Sequence, residues 1–267
     1  MPKLAANLSF LFQEAPFLDR FGAAAEAGFR GVESTFPYEA PAATIAERLQ
    51  QHRLAMALFN LPPGDIASGE RGLGALPGRE RDFMAGVERA LAYALATRCR
   101  RLHALSGLWP AGRDKGEGRA VLIANLRRAA DLVAPHGIDL LIEPINPRDI
   151  PGYFLNTPAE AESILDGVER ANVRLQLDLY HCQIVEGDLA THIHRLLPRI
   201  GHIQIAGVPE RHEPDRGEVN FGYLLELLDT LGYDGWVGCE YRPSGSTVEG
   251  LGWAKRWGIG AAPSDSP

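Results

Sequence analysis

Three carboxylates and one amide stand at or near the ends of short apolar runs in this chain. Glu143 follows Leu140-Leu141-Ile142, and Asp178 closes the run from Val173. Gln204 lies between Ile203 and Ile205, and Glu240 follows Trp236-Val237-Gly238-Cys239. Each run reads as a buried strand with one polar residue at its C-terminal end. Successive members of the set are 35, 26 and 36 residues apart, roughly one strand plus one crossover helix. That spacing brings four side-chain oxygens to one rim of a parallel sheet. Carboxylates gathered there repel one another unless a cation lies between them. No Lys or Arg lies within the strands that carry Glu143 and Glu240, so a divalent metal is the economical counter-charge. Glu143, Asp178, Gln204 and Glu240 are hard oxygen donors, which favours Mg²⁺, with Mn²⁺ next, over zinc.

Other polar residues fall where they would line the same rim. His181 follows Asp178 by three positions, on what reads as a strand end or loop, and offers a hydrogen bond to a bound substrate oxygen. Arg211 and His212, after the seventh strand candidate, are placed to meet a substrate carboxylate, with Arg supplying a bidentate fork. Glu70 reads as a lid residue, and Asn7, Asn60 and His103 are polar groups at other strand ends.

Strands alternating with amphipathic segments must hold these residues in place. Strand candidates are residues 4–10, 30–35, 54–60, 100–105, 138–143, 173–178, 201–205 and 236–240. Between them, helical stripes such as Leu122, Leu126, Ala129 and Val133 are followed by glycine, the expected left-handed stop. Helices are expected around 17–25, 41–52, 80–97, 122–133, 158–169, 188–197, 224–231 and 246–257. Eight strands and eight helices predict an α/β fold, a single (β/α)₈ TIM barrel over residues 1–258 with a flexible tail at 259–267. Active sites of such barrels lie at the C-terminal rim of the strands. An open dinucleotide-binding sheet is disfavoured, since Gly72, Gly74 and Gly78 lack the fingerprint spacing. Two connections, 61–79 and 206–219, are longer than a turn and read as loops over the catalytic face.

Composition narrows the partners. The chain has 267 residues, 45% of them apolar, with a formal net charge of −7 and a pI near 5.6. That balance argues against nucleic acid and against anionic membrane, and favours a small-molecule partner. The N-terminus reads as neither signal peptide nor membrane span, so a cytoplasmic location is expected. Cys99, Cys182 and Cys239, without paired spacing, read as reduced core thiols.

The motifs are similar to a known group. AANLS at 5–9, FPY at 36–38, PGD at 63–65, ALPGRE at 75–80, LIEPIN at 141–146, DLYH at 178–181, HIQIAG at 202–207, RHEPDRGEVN at 211–220 and WVGCEY at 236–241 occur in order. Through them the chain resembles the hydroxypyruvate isomerase family of xylose-isomerase-like barrels, from its first residues to about Trp257. The resemblance implies a Mg²⁺-type site at Glu143, Asp178, Gln204 and Glu240, with Glu143 and Glu240 as the proton donor/acceptor pair. It implies a small acidic keto or hydroxy acid as partner and leaves room for a homo-oligomer. IEPIN and DIPGY look like hydroxypyruvate isomerases proper, whereas ALFN, APHG and AGVPERHEPD look like 2-oxo-tetronate isomerases. Rivals on the same barrel are a zinc-dependent apurinic endonuclease, a ketose epimerase and a non-catalytic binding protein. The first wants several His ligands where this chain has Asn60 and Gln204.

Overall fold

A computed structural model describes residues 2–260. The strands are β1 (Lys3–Asn7), β2 (Gly31–Ser34), β3 (Ala55–Asn60), β4 (Arg101–His103), β5 (Asp139–Ile142), β6 (Val173–Asp178), β7 (Ile200–Ile205) and β8 (Trp236–Cys239). They pair in sequence order, all parallel, and β8 returns to β1 to close the barrel. Closure leaves no free sheet edge and buries the strands on both faces, so they are apolar along most of their length.

The outer helices are α1 (Arg20–Glu26), α2 (Ala42–His52), α3 (Glu80–Thr97), α4 (Lys115–Val133), α5 (Pro158–Val168), α6 (Leu179–Val185), α7 (Leu189–Leu196), α8 (Phe221–Thr230) and α9 (Thr247–Gly250). Local chemistry sets several starts. Thr157 and Glu160 form a reciprocal capping box at α5, and the Asp114 and Asn220 side chains cap α4 and α8. None of the described helices is long and apolar enough to cross a membrane.

The structure departs from the sequence reading in four places. The first strand ends at Asn7 rather than residue 10, because the Asn7 side chain and carbonyl capture the N–H groups of Ser9, Phe10 and Leu11 in a turn. His181 lies in helix α6, not on a strand or loop, because Asp178 caps that helix by accepting from the Tyr180 N–H. Residues 104–114 and 143–157 are also long rim connections, additional to the two expected; the first pairs with the loop after β3 (Gly72 opposite Ser106) and the two pair with each other (Leu108 opposite Tyr153). Finally, packing runs past residue 258. Ile259 is buried and the Gly260 N–H donates to the Ala27 carbonyl at 2.7 Å, while the rest of the expected tail, 261–267, lies outside the described residues.

Candidate active site

Strand register sets the frame. Asp178 pairs with Gln204 across β6 and β7, and Gln204 pairs with Gly238 across β7 and β8. Two residues earlier, Gln176 stands beside His202. Side chains two apart on a strand share a face, so Gln176 and His202 form a layer beneath Asp178 and Gln204. Beyond β8, across the closure of the barrel, Asn7 on β1 pairs with Glu33 on β2. Glu143 and Glu240 follow β5 and β8 by one residue.

Glu143, Asp178 and His181 come together, with one possible ligand atom from each lying within 4.8 Å of the others. Asp178 Oδ2 is 3.5 Å from His181 Nε2, and Glu143 Oε2 is 3.4 Å from His103 Nδ1. All four are buried. Glu240 keeps 13% of its side chain exposed, and Arg211 reaches it at 2.6 Å and Asp178 at 3.6 Å. The strands that carry Glu143 and Glu240 supply no cation, as read, but the loop after β7 does. Arg211 holds a left-handed backbone, φ 61°, and its guanidinium lies over the rings of Phe10 and Tyr180 at 5.0 and 4.9 Å. A cleft of about 640 Å³ lined by Phe10, Gln13 and Arg242 opens beside it.

Hydrogen bonding assigns the His181 tautomer. Asn146 accepts the Asp149 N–H on Oδ1, so its amide nitrogen faces His181 Nδ1 at 2.6 Å. Nδ1 is therefore the acceptor and Nε2 carries the proton toward Asp178 and Glu143. His181 is thereby a donor into the site. Glu143 Oε1 and Asp178 Oδ2 remain buried acceptors with no hydrogen-bond partner. Orphaned carboxylate oxygens facing one space are what a hard cation would take up, so the donor set fits a divalent metal. Gln204 differs from the expected ligand geometry. Its oxygen accepts from Gln176 at 2.6 Å, and its nitrogen donates to Glu240 at 2.6 Å and to Glu33 at 2.8 Å.

Electrostatics follow from this crowding. Burial, then Glu240 and Asp178, hold the Glu143 carboxyl well above the usual range. Asp178 is raised to about 6 by burial, with Arg211 opposing. Glu240 is raised to about 8 by burial, opposed by Arg211 and reinforced by Glu33 and Asp178. Burial pulls His103 down to about 3 and His181 well below its ordinary value, so both imidazoles are neutral. Three carboxyls held up by burial, two of them also by another of the three, form a place where added positive charge is favoured.

Three of the expected residues, Glu70, Asn60 and His212, make no hydrogen bond to the carboxylates. Glu70 organises its own loop, paired with Arg79 and accepting the Asp65 N–H at 2.6 Å, and none of its recorded bonds reaches the carboxylates. Asn60 ends β3 beside His103, and its backbone carbonyl accepts from the Tyr38 hydroxyl at 2.7 Å. His212 is turned outward, bonding the Arg242 carbonyl at 2.7 Å. Sequence reasoning missed Glu33, Gln176, His202 and Asn146. Period-two alternation from Asp178 and Gln204 points to Gln176 and His202. Glu33 closes an apolar pair as the others do, but polar neighbours Arg30, Ser34 and Thr35 mask the signal.

Comparison with known proteins follows the same lines. A 2-oxo-tetronate isomerase from Cupriavidus necator is 56% identical over 255 residues, covering 96% of this chain and 98% of that protein. The hydroxypyruvate isomerase of Escherichia coli is 44% identical over 253 residues, covering 95% and 98%. A solved structure from Brucella melitensis, described as an AP endonuclease of family 2, superposes with a TM-score of 0.95 at 53% identity, covering 96% of this chain and 99% of that one. The pattern described as xylose isomerase-like TIM barrel matches residues 21–257. The chain belongs to the xylose isomerase-like TIM barrel family.

Proposed function

We propose that this protein is an aldose–ketose type isomerase acting on a short acid that carries adjacent carbonyl and hydroxyl carbons, with hydroxypyruvate as substrate and 2-hydroxy-3-oxopropanoate as product. The observation that carries this reading is the pair Glu143 and Glu240, one residue beyond strands β5 and β8, brought onto one rim beside Asp178 and close enough that Glu240 and Asp178 hold the Glu143 carboxyl up and Asp178 does the same to Glu240. Two carboxyl groups that hold protons readily near neutral pH suit a reaction that takes a proton from one carbon and returns it to the next.

In hydroxypyruvate the C3–H proton leaves to one glutamate, and the electron pair forms the C2–C3 double bond of an enediol. The other glutamate returns a proton to C2 as C3 becomes the aldehyde, and the hydroxyl proton passes from the C3 oxygen to the C2 oxygen. Atoms balance and no redox partner is needed. His181, neutral and donating from Nε2, is aimed to hold a substrate oxygen, and Arg211 to hold the carboxylate. His103, neutral and buried, lies 3.4 Å from Glu143. Glu143, Asp178 and Glu240 would hold a divalent metal, Mg²⁺ or Mn²⁺, with Gln204 alongside as their amide neighbour. When bound, such an ion acidifies the C–H between two oxygens and offsets negative charge on them. Three free, buried cysteines agree with a reducing, cytoplasmic setting.

A four-carbon substrate is the second reading, favoured by the 56% and 49% identity to 2-oxo-tetronate isomerases. A DNA-cleaving role, suggested by the description of the Brucella relative, has little support in a chain of net charge −7. The deciding experiment follows solvent deuterium into hydroxypyruvate and 2-oxo-tetronate side by side, with Mg²⁺, with Mn²⁺ and with chelator. Exchange into at least one acid, lost with chelator, is expected. Absence of exchange into both acids would reject the assignment.

A further inference from the structure

Glu33 is buried on β2, and its carboxylate is held by three donors. Asn7 Nδ2 and Gln204 Nε2 reach Oε1 at 2.9 and 2.8 Å, and His202 Nε2 reaches Oε2 at 2.7 Å. Both amides also bond Glu240 Oε2, Asn7 at 2.8 Å and Gln204 at 2.6 Å. Two amide groups therefore bridge two carboxylates. Neither amide is free to turn over, since the Asn7 oxygen takes the Ser9 N–H at 3.0 Å and the Gln204 oxygen takes the Gln176 nitrogen at 2.6 Å. The eighth strand makes room for this arrangement. A Cβ at Gly238, two residues before Glu240, would collide with both carboxylate oxygens of Glu33.

We infer that Glu33 is a positioning residue for the isomerisation, fixing the Glu240 carboxylate through the Asn7 and Gln204 amides without itself touching substrate. The inference rests on the role given to Glu240 above. Arg211 engages Glu240 Oε1 at 2.6 Å, so Oε2 is set from below by Glu33 and Oε1 from above by the loop. Removing the Glu33 acceptor takes from each amide nitrogen one of the two carboxylates it bridges, and Glu240 loses part of the frame that fixes its aim at the substrate carbon. Small errors in aim are costly, since about 1 Å of misplacement lowers rates on the order of 100-fold.

The test uses the full chain. Glu33→Ala is expected to lower kcat for proton exchange about 10- to 100-fold while KM stays within about twofold. Glu33→Gln keeps the volume and one acceptor for the amides, and recovers most of the rate. Gly238→Ala drives a methyl into the Glu33 carboxylate and lowers kcat in the same way, yet has little effect in the Glu33→Ala background, where the space is open. In the Glu240→Gln background, Glu33→Ala changes the residual rate less than about twofold. Equal and additive losses in both backgrounds would overturn the inference. If Glu33→Ala does not fold, Gly238→Ala carries the comparison: its loss of kcat in the wild-type background should shrink to less than about twofold in the Glu240→Gln background, and equal losses in both would overturn the inference.

A second readout needs no substrate. Mn²⁺ titration followed by electron paramagnetic resonance should show about tenfold weaker binding in Glu33→Ala than in wild type, because a misplaced Glu240 is a poorer donor. A lowered melting temperature with wild-type kcat and wild-type Mn²⁺ affinity reduces Glu33 to a purely structural residue and overturns the inference. Wild-type inactivity on both acids sinks the proposed reaction, and the Mn²⁺ arm still decides whether Glu33 positions Glu240.

Discussion

The two ends of this barrel carry charge in opposite ways. At the N-terminal base the cations close on backbone carbonyls: Arg101 Nε on Gly201 at 2.7 Å, Arg174 on Ile200 at 2.7 Å, and Lys3 Nζ on Asp234 at 2.6 Å. Asp139 lies half-buried near Arg174 and Arg101, which counter the upward push of burial on its carboxyl. At the C-terminal rim, Glu143, Asp178 and Glu240 face one another, with one guanidinium near two of them and orphaned oxygens on Glu143 and Asp178. Charges at the base are spent on holding the strands together, and their loss is a matter of stability. Charges at the rim are held in mutual opposition, which raises the free energy of the fold and leaves them available to a cation and a substrate.

The comparison is broken most directly at the two glutamates. Glu143→Gln and Glu240→Gln are each expected to lower turnover by about 10³-fold or more while circular dichroism and melting stay near wild type. Near-normal turnover in either variant removes the two-glutamate mechanism. Arg211→Ala comes next, raising KM for the acid at least about tenfold by removing the guanidinium offered to the carboxylate, and lowering kcat as well because Glu240 Oε1 loses its partner. An equal rise for a neutral ketose would show that the arginine does not read the carboxylate.

The rim also predicts a pH dependence of stability. Glu240 is raised in the folded protein from 4.5 to about 8, so its protonated form stabilises the fold fully below 4.5, and that contribution is lost as pH rises through about 8. His103 and His181, pulled down from 6.5, act in the other sense, their contribution being lost as pH falls below 6.5. Between pH 6.5 and 8, then, the carboxyls dominate. Melting temperature in chelator should fall across that interval, and added Mg²⁺ should recover more of it at pH 8 than at 6.5. A melting temperature that is flat in chelator, or recovered equally at both values, breaks the claim that the rim stores repulsion. The smallest effect belongs to the base. Arg174→Ala should cost about 1 kcal/mol of stability and leave kcat unchanged. A change in kcat there would erase the distinction between the two ends.

Much of this was legible before folding. Glu143 and Glu240 stand out because an ionised group ending an apolar run is expensive to bury, and the barrel follows from eight strand candidates that the structure places within a few residues of their expected bounds. Helix α6 was not legible, since LYHCQIV follows directly on Asp178, a residue already read as a ligand, which serves as cap as well as acid. Glu70 has the composition of a lid residue, yet Arg79, nine residues later, takes its charge within the loop.

By itself the chain determined the alternation of strand and helix, the rim on which its carboxylates fall, and the family to which its motifs point. The first two are consequences of period and spacing, which are local or nearly so, while the family rests on the resemblance of its motifs. Only the tertiary structure decided that Arg211 returns from a loop to Glu240, that His181 donates rather than accepts, and that Glu33 reaches Glu240 through Asn7 and Gln204. Asn7 and Glu240 are 233 residues apart in sequence and neighbours only because β8 closes on β1. Closure is a property of the whole sheet, and no window of sequence contains it.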